Sequence, residues 1–382
     1  MSRAPVHVVY GGAHLFKEDT PQKLAQIAER TFAAHCKDAV ALSELLGLGL
    51  DSDAAAPVYD RVAKKLATPA AVEDFRIDFE DGYGVRSPAD EDHDAERAGA
   101  ALRQCTTRPA FIGLRTKPFA GATRDRARRT LDLFLKAAGD TRGLTLTIPK
   151  VTHPHEVEEA AAALGDGMTL ELMIESKAAI ICGAGFALPD LIAAGGGRVS
   201  SVHFGAYDFL SAHDIAASEQ RLDHPLCDRA RELMLMTSTV RVADGATSFL
   251  PVPADDRAIV SQALWLHARN VRRALATGIY QGWDLHPAQL VARYGAVYAF
   301  FLQNKDASAE RLKRFIATAA QAQVNGGVFD DAATALGLVS FFLRGFYAGA
   351  FDESDVAQTG ATVAQLEQRS FAALVNAQPA SA

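Results

Sequence analysis

Short apolar runs that each stop at a charged or polar residue recur in order along this chain. They are DFEDGYG (Asp78 to Gly84), GLRTKPF (from Gly113), TIPKV (Thr147 to Val151), LELMIES (Leu170 to Ser176), FGAYDF (Phe204 to Phe209) and, later, GWDLHPAQ (from Gly282). Each run reads as a β-strand with its chemistry at the C-terminal end. An eight-stranded (β/α) barrel assembles its active site in this way. The predicted fold is therefore α/β, a (β/α)8 TIM barrel. The collected residues are four carboxylates (Glu80, Asp81, Glu175, Asp208), Arg115, Lys150 and His286. Together they suggest a site for a divalent cation and an anionic substrate.

Eight strands can be counted. They fall at Val6 to Tyr10, Phe75 to Phe79, Phe111 to Arg115, Leu144 to Ile148, Leu170 to Ile174, Val199 to Phe204, Ser248 to Val252, and from Trp283. Helical stretches separate them, among them Pro21 to His35, Pro88 to Arg103, Arg124 to Ala138, His155 to Leu164, a long helix around Arg229 to Ala243, and Arg257 to Thr277. Apolar runs without strict alternation fit parallel strands buried on both faces. Beyond residue 286 the pattern is helical throughout. We divide the chain into a barrel, 1–290, and a C-terminal helical extension, 291–382, placed between subunits. In that extension Ala335 to Phe351 carries apolar residues on all sides, which calls for a second covering surface.

Composition removes several classes. The 382 residues carry a net charge of −7 and show no basic stripe, which argues against a nucleic-acid partner. The apolar segment at 335–351 is broken by Arg344 and three glycines, so it falls short of a membrane span. Four scattered cysteines without a C-x-x-C pair suit a reducing cytoplasm, and the N-terminus lacks the apolar core of a signal peptide.

The strand-end residues suggest roles. Glu175 and Asp208 end neighbouring strands. Two carboxylates, completed by substrate oxygens and water, suit Mg²⁺, or Mn²⁺ in its place. The plainer alternative is a pair of surface or capping acids. Glu80 and Asp81 would hold metal-bound water or cap the glycine-rich loop after them. Adjacent strand residues face opposite ways, so only one of the two is expected at the site. Arg115 offers a fork for a carboxylate, or an ion pair to an acid such as Glu80. Lys150 is an electrostatic partner of the acids or a Schiff-base amine. Acids around it would hold its proton, which favours the first. His286 and His14 are further candidates for substrate contact, with hydrogen-bonded structural roles as the alternative.

In this order the motifs resemble the HpcH/HpaI aldolase and citrate lyase beta-subunit family, TIM barrels of the phosphoenolpyruvate/pyruvate superfamily. The resemblance spans roughly residues 75 to 290. It implies that Glu175 and Asp208 bind Mg²⁺, that Arg115 binds a substrate carboxylate or carbonyl oxygen, and that Glu80 and Asp81 lie near the metal waters. It also implies that Asp330, or Asp331, in GGVFDDA reaches the site of a neighbouring subunit in a homotrimer or homohexamer. The chain departs from the pattern at Lys117, where asparagine is usual, and at Gly82-Tyr83-Gly84. The implied function is a Mg²⁺-dependent carbon–carbon lyase acting on a small-molecule carboxylate, either a 2-oxo acid or a coenzyme A thioester. The alternatives are a thioester hydrolase, a phosphoenolpyruvate-using enzyme, or a metabolite-binding regulator without turnover.

Overall fold

Asp74, Arg76 and Asp78 alternate with Phe75 and Ile77 in one strand, and all five are buried. A strand sends successive side chains to opposite faces, so a buried strand of this pattern needs polar partners on one side and apolar partners on the other. A closed barrel supplies both. The computed structural model describes residues 3–183, 185–324, 332–370 and 374. Its eight barrel strands are β1 (His7–Gly12), β2 (Asp74–Asp78), β3 (Phe111–Arg115), β4 (Leu144–Ile148), β5 (Thr169–Ile174), β6 (Val199–Phe204), β7 (Arg241–Ala246) and β8 (Gln281–Asp284). All pair in parallel and close in the order β1-β8-β7-β6-β5-β4-β3-β2.

The lumen is polar, unlike the unpatterned apolar strands expected from sequence. Arg76 Nε donates to Thr147 Oγ1 at 3.0 Å, and Thr147 Oγ1 donates to Glu171 Oε1 at 2.9 Å. Ser201 Oγ donates to Glu171 Oε2 at 2.9 Å. Arg76 is also ion-paired with Asp74, and its Nη2 lies 3.5 Å from Glu171. Side chains from β2, β4, β5 and β6 meet in this way only inside the barrel. Burial alone would raise the Glu171 carboxyl, yet Arg76 and His203 hold it well below its ordinary range. The outward residues pack on helices, as Phe79 does edge-on against Phe134 at 6.3 Å.

The surrounding helices are α1 (Thr20–His35), α2 (Ala39–Leu46), α3 (Ser52–Leu66), α4 (Pro88–Gln104), α5 (Arg124–Ala138), α6 (Pro154–Ala162), α7 (Leu188–Ala194), α8 (Ala206–Ser211), α9 (Pro225–Thr237), α10 (Arg257–Ala276), α11 (Leu290–Gln303), α12 (Lys305–Val324) and α13 (Ala332–Ala348). The seventh strand is not Ser248 to Val252 but Arg241–Ala246, and the preceding helix ends at Thr237. The physical reason is a pair of charges. Asp244 points outward to Arg231 of α9, at 2.8 and 3.0 Å, so RVADGA carries a salt-bridge partner where an apolar residue was expected. Helices α2 and α3 fill a stretch for which the sequence reading assigns no element. Each is capped by an aspartate, Asp38 accepting from Ala41 N–H and Asp51 from Ala54 N–H.

Helix α13 has a buried stripe, formed by Ala335, Val339, Phe342 and Leu343. Its aromatic residues pack inside the chain, Phe341 on Phe301 at 5.2 Å and Phe342 on Phe351 at 5.3 Å. Intrachain packing thus covers much of the surface for which the sequence reading invoked a second subunit. Among the described residues no helix is long and apolar enough to cross a membrane.

Candidate active site

The C-terminal ends of the strands open onto a cavity of about 370 Å³. Its wall includes Tyr10, Asp78, Asp81, Arg115, Glu175, Asp208, Trp283 and Leu285. The barrel's parallel register explains this gathering. Asp78 of β2 is level with Arg115 of β3, and Gly12 of β1 is level with Asp78.

Arg115 is the hub. Its Nε and Nη2 donate to the two oxygens of Asp78 at 2.7 and 2.6 Å. The remaining edge, Nη1, faces Asp81 Oδ2 at 3.3 Å and Glu80 Oε2 at 3.0 Å. The Glu80 contact is an ion pair without hydrogen-bond alignment, for Glu80 Oε2 is buried with no hydrogen-bond partner. The guanidinium also lies 4.9 Å from the Tyr10 ring centroid and 5.3 Å from that of Trp283. Burial works against the charge, but Asp78 and Glu80 outweigh it and raise the group above its ordinary range. Arg115 is therefore permanently cationic, and its fork is committed to Asp78. Only the Nη1 edge is directed toward other acids of the site.

Both Glu80 and Asp81 reach Arg115, contrary to the expectation that only one would face the site. The strand ends at Asp78, and past that point the chain turns, so strand alternation no longer applies. Asp78 organises the turn by accepting from Glu80 N–H at 3.0 Å and Gly82 N–H at 2.8 Å. A Cβ at Gly82 would sit 2.7 Å from Asp78 Oδ2, which is why glycine follows the acids.

Lys150 has its backbone in the left-handed region, φ 54°, unusual for a residue with a side chain. This geometry aims its N–H at Glu175 Oε1, 2.6 Å away, and its Nζ at Glu80, with which it is ion-paired. Asp81 and Asp208 lie 3.7 and 3.9 Å from Nζ. Burial would lower the amine's pKa, but the contact with Glu80 and the fields of Glu80, Asp81 and Asp208 hold it above its ordinary range.

Glu175 is buried and its carboxyl is pushed up to about 8, first by burial and then by Asp208 and Glu80. Asp208, at the first turn of α8, is half-exposed. Gly205 leaves the room for this arrangement. A Cβ there would fall 2.4 Å from Glu175 Oε2. Five carboxylates (Asp78, Glu80, Asp81, Glu175, Asp208) thus face two cations, Arg115 and Lys150. Asp78 is matched by Arg115 and Glu80 by Lys150, which leaves Glu175 and Asp208 without a close cation, and their crowding raises the Glu175 carboxyl. The donor set fits a divalent cation that keeps water or substrate oxygens, and Glu175 and Asp208 are the residues that would hold it. Among the described residues, no group of three or more histidine, cysteine or acidic side chains forms a closed metal cage.

The two histidines have structural partners. His14 lies on a 3-10 turn, Ala13–Leu15, edge-on to Tyr83 at 5.6 Å. His286 caps the turn Pro287–Gln289, its Nδ1 accepting from Ala288 N–H at 3.2 Å, while Leu285 beside it lines the cavity. Asp330 and Asp331 lie outside the described residues. Sequence reasoning missed Asp78, Tyr10 and Trp283. Asp78 closes β2 level with Arg115, a signal the sequence did carry, whereas Tyr10 and Trp283 lie within β1 and β8 and carry no mark of their own.

The chain belongs to the family described as Domain of unknown function (DUF6986), whose model matches residues 1–374. No curated protein matches its sequence. Solved structures do share its shape. A citrate lyase from Burkholderia xenovorans LB400 is 20% identical, with a TM-score of 0.62 over 94% of this chain and 98% of that one. The CitE protein of Mycobacterium tuberculosis, in complex with magnesium, acetoacetate and coenzyme A, is 16% identical, with a TM-score of 0.52 over 90% of this chain and 97% of that one. The barrel expected from the citrate lyase resemblance is the fold this chain adopts.

Proposed function

We propose that this chain is a Mg²⁺-dependent carbon–carbon lyase that acts through the enolate of a 2-oxo acid or of a coenzyme A thioester. The observation that carries the reading is a pair of carboxyl groups without a close cation, Glu175 and Asp208, in the cavity that Arg115 also lines, where crowding makes Glu175 hold a proton that a bound cation would replace. When bound by these two carboxylates, the cation would supply positive charge to the substrate oxygens and to the enolate. Arg115 adds a fixed charge to the same region. Asp78, Tyr10 and Trp283 hold it in place, so little reorganisation accompanies the reaction. Asp81 is exposed and only loosely held by Arg115, and it gives way to the substrate oxygen that takes Nη1. Burial raises the Glu80 carboxyl, Arg115 and Lys150 oppose that rise, and Lys150 fixes Glu175 through its backbone N–H. The proton that must leave or reach the cleaved carbon chain is assigned to Asp330, or Asp331, of a neighbouring copy in a homotrimer or homohexamer. This last assignment rests on the resemblance of GGVFDDA alone.

Calorimetry with Mg²⁺ tests the cation site. Affinity should drop at least tenfold in both Glu175→Ala and Asp208→Ala, and unchanged affinity in both would end the reading. Turnover of 2-oxo acids and acyl-coenzyme A thioesters, dependent on Mg²⁺, tests the chemistry.

A further inference from the structure

The barrel's opposite mouth has a cavity of its own, of about 430 Å³. It lies at the N-terminal ends of β1, β6, β7 and β8, with α13 forming one wall. Two arginines line it. Arg241 opens β7, and its Nε is buried without a hydrogen-bond partner. Arg344 of α13 lies over the Tyr280 ring, 3.9 Å from the centroid. Among the described residues neither guanidinium has a carboxylate within ion-pairing distance. The acids closest in effect to Arg241 are Glu171 and Asp74, and both are already engaged by Arg76. Burial weakens both guanidinium charges, and Arg241 adds its repulsion to Arg344. Gln281 contributes a second orphan, its Oε1, also buried without a partner. The rest of the lining is largely apolar, including Val6, Val242, Val297 and Phe301.

A guanidinium withdrawn from water without a counter-charge costs desolvation that nothing returns. Here two half-buried ones share one partly open cavity with an apolar wall. We infer that this cavity is a second ligand site, separate from the active site, for a small organic anion whose charged head pairs with Arg241 and Arg344 and whose body packs on the apolar wall. Its volume lies within the ordinary range for metabolite pockets. The inference does not depend on the lyase reading, since its test measures binding and not turnover.

The test is calorimetry on the full chain with phenyl phosphate, phenylacetate, inorganic phosphate and phenol. Phenyl phosphate or phenylacetate should bind, and which of them binds tighter identifies the head. Inorganic phosphate and phenol should each bind at least tenfold more weakly than the better of the two, because each has only half of the recognised chemistry. Arg344→Gln and Arg241→Gln should each weaken binding by about tenfold or more, the loss of a charge-assisted pair. Arg344→Lys should restore part of it. Arg344 lies on a helix outside the barrel, so this pair of variants carries the test if Arg241→Gln fails to fold. Absence of binding by both organic anions would overturn the inference. So would an affinity that survives Arg344→Gln and falls in Lys150→Gln, which would put the anion in the active site.

Discussion

Asp78 and Arg115 sit side by side in register on β2 and β3 and form a two-pronged ion pair, with N–O distances of 2.7 and 2.6 Å. Both are buried. The pair sets the site, because Asp78 also holds the backbone of the turn carrying Glu80 and Asp81. Removing Asp78 leaves the buried Arg115 charge with only the Nη1 contacts to Glu80 and Asp81. We expect Asp78→Ala to lose about 3–5 kcal/mol of stability, measured by urea denaturation. Asp78→Asn keeps the shape and some hydrogen bonds, so it should lose less stability but should still lower kcat/KM, because Arg115 is no longer held. A kcat/KM unchanged in Asp78→Asn would refute this positioning role.

Glu175 makes the site sensitive to pH. Its carboxyl moves from an ordinary 4.5 to about 8 in the folded protein. Between these values the folded chain keeps a proton that the unfolded chain has released. The stabilisation that this proton provides is full below about 4.5 and is lost as pH rises through about 8. Without divalent cation, stability should therefore fall with rising pH across this window, and Glu175→Gln should flatten the slope. Cation binding must displace the same proton, so Mg²⁺ affinity should weaken by about tenfold per pH unit below about 8. Calorimetry over that range checks the second statement, and a pH-independent affinity would contradict it.

Lys150 should not form a Schiff base. Its amine is held protonated by Glu80, Asp81 and Asp208 against the effect of burial. Borohydride treatment with pyruvate should leave the mass of the protein unchanged, and turnover should be lost on chelation of divalent cations. A reduced adduct on Lys150 would replace the proposed mechanism with a covalent one.

Much of this was legible in sequence because strand ends leave a sharp mark, an apolar run that stops at a charge. Arg115, Glu80, Lys150, Glu175 and Asp208 all carry that mark, and all meet at one mouth of the barrel. What was not legible lay inside the strands. Asp78 and Arg76 are charges within an apolar run, and their partners Arg115 and Glu171 come from other strands and meet them only once the sheet forms. Strand β7 was misplaced for a related reason, since Asp244 is satisfied by Arg231, a partner on a helix packed outside it. Tyr10 and Trp283 were read as strand filling. Their role appears only when β1 and β8 pair and bring the two rings within 4.3 Å of each other beside Arg115. Local patterns mark ends, whereas closure of the sheet determines which ends meet.

Gly205 gives the sharpest separation between folding and function. Its φ of −99° is open to any residue, so alanine there carries no backbone strain. Its N–H is bonded to Ile174 O at 3.0 Å, which anchors the start of α8. A methyl group at that position would meet Glu175 Oε2 at 2.4 Å and Glu175 Cβ at 2.6 Å, well inside contact distance. Turning the Glu175 side chain frees Oε2 but not Cβ, so the ends of β5 and α8 must shift as well. We expect Gly205→Ala to fold with stability lowered by about 1–3 kcal/mol, the range of overpacking, and a melting temperature lower by several degrees. Its Mg²⁺ affinity should fall at least as far as in Asp208→Ala, since the buried carboxylate no longer faces its partner. Calorimetry and thermal melts on the same sample distinguish the outcomes. Full Mg²⁺ affinity in a folded Gly205→Ala protein would show that the position of Glu175 is not what makes the cation site.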